Sequence, residues 1–213
     1  MILDKEIGTK IAKSLLEIQA VKLNVTNPFT WASGIKSPIY CDNRRILSFP
    51  DLRKLVSDSI AKLYAAQFDI PDCIAGVATG GIPHGVLVAE RLNLPFVYVR
   101  SDKKGHGLGN LVEGLVKPGW KVLVVEDLVS TGKSSLAAVE SLRQSGCEVV
   151  GMVAIFTYGF DIAEQNFKKT NCKLFTLTNY NILIEVASEF GYIKNHEIEI
   201  LEKWRKDPYS LSV

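Results

Sequence analysis

A chain of 213 residues with 47% apolar and 23% charged side chains has material for one full core, which excludes a disordered or fibrous protein. Its formal net charge of +2 excludes a broad nucleic-acid or membrane surface, so any affinity for anions has to come from local clusters. No apolar run approaches the ~20 residues that cross a bilayer, and Met1-Ile2-Leu3-Asp4-Lys5-Glu6 has an acid where an export signal needs a basic region, so a cytoplasmic protein is expected.

Over residues 4–20, Ile7, Ile11, Leu15, Leu16 and Ile18 recur at helical spacing with charges between them, which predicts an amphipathic helix. Residues 21–25 then alternate with period two. Phe29-Thr30-Trp31 and Pro38-Ile39-Tyr40-Cys41 are short β-like pieces separated by Ser-Gly turn signals. Residues 1–45 are therefore expected to form the N-terminal helix and a small hood, and residues 46–213 a core closed by C-terminal helices, within a single compact domain.

Helical periodicity returns over 51–68, followed by an apolar strand at 73–77. A helix at 83–92, strands at 96–99 and 121–125, a helix at 134–144, a strand at 148–155 and a helix at 162–168 come next. Helices at 181–190 and 197–205 end the series. Val/Ile-rich strands spaced by amphipathic helices predict an α/β fold with a central parallel sheet flanked by helices. Cys41, Cys73, Cys147 and Cys172 are widely spaced with no C-x-x-C pair, which argues for reduced thiols and against a zinc or redox motif.

The segment Val122-Leu123-Val124-Val125-Glu126-Asp127-Leu128-Val129-Ser130-Thr131-Gly132-Lys133-Ser134 carries most of the chemistry. An apolar strand ends in two carboxylates, and a Ser/Thr/Gly loop leads into a helix at the edge where open α/β sheets bind ligands. Amides and hydroxyls of Ser130, Thr131, Gly132 and Ser134 at a helix N-terminus suit a phosphate monoester. Glu126 and Asp127, as acceptors, suit a vicinal diol. Gly132-Lys133-Ser134 also ends like a Walker A loop, but that pattern needs glycine where Asp127 stands, and an acid there repels the phosphates such a loop wraps.

Ala78-Thr79-Gly80-Gly81-Ile82-Pro83-His84-Gly85 repeats the strand-to-helix theme, with glycines that admit close backbone approach and Pro83 in the first helical turn. Between two apolar segments, residues 100–110 form a polar, glycine-rich stretch in which Arg100, Lys103, Lys104 and His106 fall within seven residues. Such a basic flap suits closure over a departing anion and exclusion of water.

The 122–134 segment resembles the motif with which type I phosphoribosyltransferases bind phosphoribosyl pyrophosphate (PRPP). That resemblance implies that Glu126 and Asp127 contact the ribose hydroxyls, that Ser130, Thr131, Gly132, Lys133 and Ser134 hold the 5′-phosphate with Leu128 and Val129 as further PRPP-binding positions, and that Thr79 and Gly80 belong to a pyrophosphate loop. Arg100, Lys104, His106 and Gly107 are similar to the R-x-x-x-K-x-H-G loop of the orotate phosphoribosyltransferases, although Ser101 stands where some members carry a second basic residue. Catalysis is thereby assigned to Arg100, Lys104, His106 and Asp127, with Lys103 as a further PRPP contact. A homodimer is implied as well, in which the 100–110 loop of one subunit completes the site of the other.

Phe29-Thr30-Trp31-Ala32-Ser33-Gly34-Ile35-Lys36-Ser37-Pro38 resembles the same family's hood string, F-T-x-x-S-G-x-K-S-P. It implies that Ser33, Gly34 and Lys36 lie near orotate, that Ile39 or Tyr40 packs on a ring face, and that Ser130 reaches the base from the phosphate loop. The implied reaction joins orotate to the ribose of PRPP, giving orotidine 5′-monophosphate and pyrophosphate, with Mg2+ held mainly by substrate oxygens and water. A phosphoribosyltransferase for another base and a non-catalytic PRPP-binding regulator are the alternatives. The first shares the PRPP loop but neither of the other strings, and the second ordinarily carries an added DNA-binding segment.

Overall fold

The computed structural model describes residues 4–31, 33–101 and 111–209. Helix α1 (Lys5–Glu17) starts where the Asp4 side chain accepts from the Ile7 amide at 3.1 Å, and it buries the stripe Ile11, Ala12, Leu15 and Leu16. Four short strands follow: β1 (Val21–Leu23), β2 (Phe29–Thr30), β3 (Lys36–Ser37) and β4 (Ile39–Cys41). They form two antiparallel pairs, with Val21 opposite Cys41 and Phe29 opposite Ser37, and these pairs are the hood. A 3₁₀ turn (Asn43–Ser48) then leads into α2 (Pro50–Gln67), where Pro50 occupies the helix start that tolerates its missing N–H.

The remaining elements are β5 (Cys73–Val77), α3 (Gly81–Leu92), β6 (Phe96–Val99), β7 (Val112–Glu113), β8 (Lys121–Val129), α4 (Lys133–Gln144), β9 (Glu148–Thr157), α5 (Asp161–Lys169), β10 (Leu174–Asn179), α6 (Tyr180–Glu189) and α7 (Asn195–Lys206). Six strands make one sheet in the order β10-β9-β8-β5-β6-β7, parallel except for the antiparallel edge pair β6–β7. Residues on one face of the strands, among them Ile74, Leu123, Val125, Val153 and Leu177, pack with α1, α2, α3, α6 and the hood. Those on the other face, among them Ala75, Val124, Met152 and Ala154, pack with α4 and α5. Both faces are covered, as the continuous apolar strands predict.

The structure departs from the sequence expectation at several elements, the unexpected antiparallel edge strand β7 among them. Strand β8 does not stop at Val125 but runs through Glu126 and Asp127 to Val129, because β9 continues alongside it to pair Leu128 with Phe156 and Val129 with Thr157. Strand β10 stands in a stretch to which the sequence analysis assigns no element; Thr176 and Thr178 interrupt its apolar pattern yet are buried against the sheet. Helix α3 begins at Gly81 rather than at Pro83. No helix among the described residues is long and apolar enough to cross a membrane. All four cysteines are unpaired.

Candidate active site

Successive residues of a strand point to opposite faces of the sheet. The extension of β8 therefore sends the two acidic side chains to different sides. Glu126 turns toward α4, where it is only 4% exposed; its Oε2 accepts from the Ser135 hydroxyl at 2.9 Å and its Oε1 from the Asp127 amide at 3.0 Å. Burial, reinforced by the Asp127 charge, pushes the Glu126 carboxyl well above the usual carboxylate range, against the opposing pull of the Ser135 hydrogen bond. Asp127 turns to the other side and lies against Gly80, so closely that a Cβ on Gly80 would fall inside the carboxylate. Glycine at 80 is what lets the second loop touch the acidic strand end.

Both loops deliver a helix N-terminus to this point. Gly80 caps α3 and Gly132 caps α4, and neither helix has a side-chain cap on its first amides. Such amides, with the positive end of the helix dipole, are open to an external anion. Gly132 adopts a left-handed φ of +79°, and a Cβ there would meet the Phe167 ring at 2.8 Å, so no larger residue fits the turn. Thr131, Lys133 and Ser134 are exposed around it, and Ser130 is half-buried. Leu128 and Val129, assigned to PRPP by resemblance, direct their side chains into the apolar clusters on either face. The Val129 carbonyl accepts from the Thr157 hydroxyl at 3.1 Å and the Tyr158 amide at 3.3 Å, which leaves these two positions only backbone groups to offer a ligand.

The hood docks directly on this centre. Buried Asn43 donates its side-chain N–H to the Asp127 carbonyl at 2.7 Å, and its Oδ1 receives the Cys41 thiol at 3.3 Å. Burial, with the charges of Asp127 and Asp42, pushes that thiol well above its ordinary range. The Trp31 ring lies 5.1 Å from that of Tyr158 at a 40° tilt, and its indole N–H donates to the Ile39 carbonyl at 3.1 Å. At the hood tip Ser33, Gly34 and Lys36 are exposed, and the Lys36 ammonium donates to the Thr30 hydroxyl at 3.0 Å. Of the two residues offered for a ring face, Ile39 is fully buried in the core while Tyr40 is 41% exposed with its ring 5.8 Å from Phe29, so only Tyr40 faces outward.

On the far side, Arg100 and Ser101 line a small cleft with Val77, Ala78, Leu111 and Ser134, which sets the root of the basic segment beside the phosphate helix. The Arg100 amide donates to the Leu111 carbonyl at 2.9 Å. Lys103, Lys104 and His106 lie outside the described residues. These contacts thus bring Gly80 and Asn43 onto Asp127 and set Arg100 beside Ser134, while Glu126 turns to the opposite face of the strand.

Three contributors escaped the sequence analysis: Asn43, Ser135 and Trp204. Asn43 follows a strand as any turn asparagine does, and Ser135 continues a serine pair. Trp204 is fully buried in α7 and donates to the hood at the Lys36 carbonyl at 3.1 Å, which gives the C-terminal helices a part in shaping the site.

Comparison with known proteins places the chain in a family. Residues 43–190 match the phosphoribosyl transferase domain family. The chain is 58% identical over 204 residues to the orotate phosphoribosyltransferase of Bacteroides fragilis, covering 96% of each. Among solved structures it is similar to the orotate phosphoribosyltransferase of Aeropyrum pernix, with a TM-score of 0.74 and 29% identity over 86% of this chain and 99% of that one. It is also similar to UMP synthase of Leishmania donovani, with a TM-score of 0.79 and 28% identity over 94% of this chain and 43% of that longer one.

Proposed function

The chain belongs to the orotate phosphoribosyltransferases, and from that premise we propose how its own residues divide the work of the reaction. The protein transfers the 5-phosphoribosyl group of PRPP to orotate, giving orotidine 5′-monophosphate and pyrophosphate, a step that serves pyrimidine synthesis. The observation that carries the reading is the end of β8, where Asp127 lies against the Gly80 cap of α3 and the chain runs on within a few residues to the Gly132 cap of α4.

In this reading the α4 terminus, with Ser130, Thr131, Gly132, Lys133 and Ser134, takes the 5′-phosphate. The α3 terminus, with Thr79 and Gly80, takes the pyrophosphate. Asp127 lies between them and accepts the ribose hydroxyls. Glu126, buried on the opposite face and held by Ser135, shapes the strand end that presents Asp127. The reaction passes through an oxocarbenium-like ribose, so the protein's contribution is stabilisation of leaving-group charge rather than supply of a nucleophile. Arg100, Lys103, Lys104 and His106 serve that charge. Ser33, Gly34, Lys36 and Tyr40 enclose the base, with Ser130 reaching it from below.

Magnesium fits this site as a substrate-held ion. The half-buried Asp127 carboxylate is an oxygen acceptor suited to the waters of an ion held by phosphate oxygens. When bound, the ion neutralises pyrophosphate charge; Asp127 orients its waters. We further propose a cytoplasmic homodimer sharing the 100–110 segment between subunits. The four unpaired thiols suit a reducing compartment, and the Arg100-to-Gly107 string supports the sharing.

An assay with PRPP, Mg2+ and either orotate, uracil, hypoxanthine or adenine tests the assignment. Orotidine 5′-monophosphate is the expected product, and turnover of another base in preference to orotate would overturn it. Asp127→Asn is expected to weaken PRPP binding while leaving the thermal midpoint in place.

A further inference from the structure

Arg100 does not stand alone at the root of the basic segment. Its Nη1 lies 3.4 Å from Glu113 Oε1, and both side chains are about one-quarter exposed. The pairing is built into the sheet edge: β6 and β7 are antiparallel with Tyr98 opposite Glu113 and Val99 opposite Val112, and the Arg100 amide bonds the Leu111 carbonyl at 2.9 Å. In that register Arg100 is the diagonal neighbour of Glu113, a separation that a long side chain spans. Arg100 also lines a cleft with Ala78 and Ser134, so the acid holds the cation that stands at the root of the segment proposed to be shared between subunits.

We propose that Glu113 is a positioning residue for the transfer reaction, holding the Arg100 guanidinium in register with the departing pyrophosphate. The inference rests on the reading that Arg100 stabilises that leaving group. An arginine is rich in rotamers, and ordering it only as the transition state forms takes free energy from catalysis. A carboxylate across the strand pair supplies the order beforehand. The 3.4 Å separation is longer than a tight charge-assisted hydrogen bond, so the guanidinium is oriented without being sequestered from a more highly charged anion.

Steady-state kinetics of four variants tests this: Glu113→Ala, Glu113→Gln, Arg100→Ala and the double variant Glu113→Ala/Arg100→Ala. Glu113→Ala is expected to lower kcat roughly five-fold, the scale of one partly exposed ion pair, with the orotate KM and the thermal midpoint unchanged. Glu113→Gln, which keeps an oxygen acceptor at the same reach, is expected to recover most of the loss. In the Arg100→Ala background, removal of Glu113 is expected to cost nothing further. Unaltered turnover in Glu113→Ala, or the same loss with and without Arg100, overturns the proposal. Unaltered turnover in Arg100→Ala alone would instead remove the role assigned to Arg100, so the two failures are distinguishable.

Discussion

Trp204 donates its indole N–H to the Lys36 carbonyl at 3.1 Å, joining the last helix to the hood across 168 positions of sequence. Its ring lies 5.6 Å from Trp31 and 5.6 Å from Phe160, in an aromatic cluster that also takes in Tyr158 and Tyr180. Tyr180 in turn donates its hydroxyl to the Leu201 carbonyl at 2.9 Å, fixing α7 on α6. The lysine placed nearest the base by resemblance therefore has its backbone set by the C-terminal helix.

Trp204→Phe keeps most of the ring and loses the donor, an expected destabilisation of about 1 kcal/mol. Trp204→Ala also opens a large void and is expected to cost about 3–5 kcal/mol. Urea denaturation measures both. In the phenylalanine variant the orotate KM should rise with little change in the PRPP KM; equal changes in the two would show that the contact does not act through the hood.

Asn43→Ala leaves the Asp127 carbonyl without its 2.7 Å donor beneath the hood. The expected cost is about 1–3 kcal/mol in stability, together with weaker PRPP binding as the strand end relaxes. Calorimetric titration with PRPP checks the second effect, and an unaltered affinity would confine Asn43 to a packing role.

His84 is 1% exposed in α3, and burial lowers its pKa to about 4. A histidine with a depressed folded value binds protons more readily when unfolded, so the stability it contributes is present above its unfolded pKa of about 6.5. That stability is lost as the pH falls from there toward 4. His84→Leu is expected to flatten the dependence of the thermal midpoint over this window. A variant whose midpoint tracks the parent from pH 7 to pH 5 would place the acid sensitivity elsewhere.

Lys104→Ala is expected to lower turnover far more than it weakens orotate binding, since the charge that the lysine meets develops as pyrophosphate leaves. Comparison of kcat with the orotate dissociation constant decides the matter. Equal losses in both would count against a role confined to the transition state.

Most of the α/β pattern is legible in the sequence because each element carries its own period. Ile11, Leu15 and Leu16 mark a helix, and Val122 to Val125 mark a buried strand, without reference to anything distant. The phosphate loop is legible for the same reason: strand, acids, Ser/Thr/Gly and helix lie within a few residues of one another. Strand β10 escapes because Thr176 and Thr178 look polar until pairing with the neighbouring strand places them in the buried sheet. The true length of β8 escapes because its last residues are held by β9 rather than by any run of their own.

Local patterning, which needs only contacts close in sequence, thus determined the fold class, the two glycine-rich strand-to-helix loops and the family resemblance. Tertiary structure alone decided that Glu126 and Asp127 face opposite sides of the sheet, that Gly80 touches Asp127, and that Asn43 and Trp204 fasten the hood. Those contacts join positions 47, 84 and 168 residues apart. Closing such loops costs chain entropy that no local signal records, and it is offset only when the core forms as a whole.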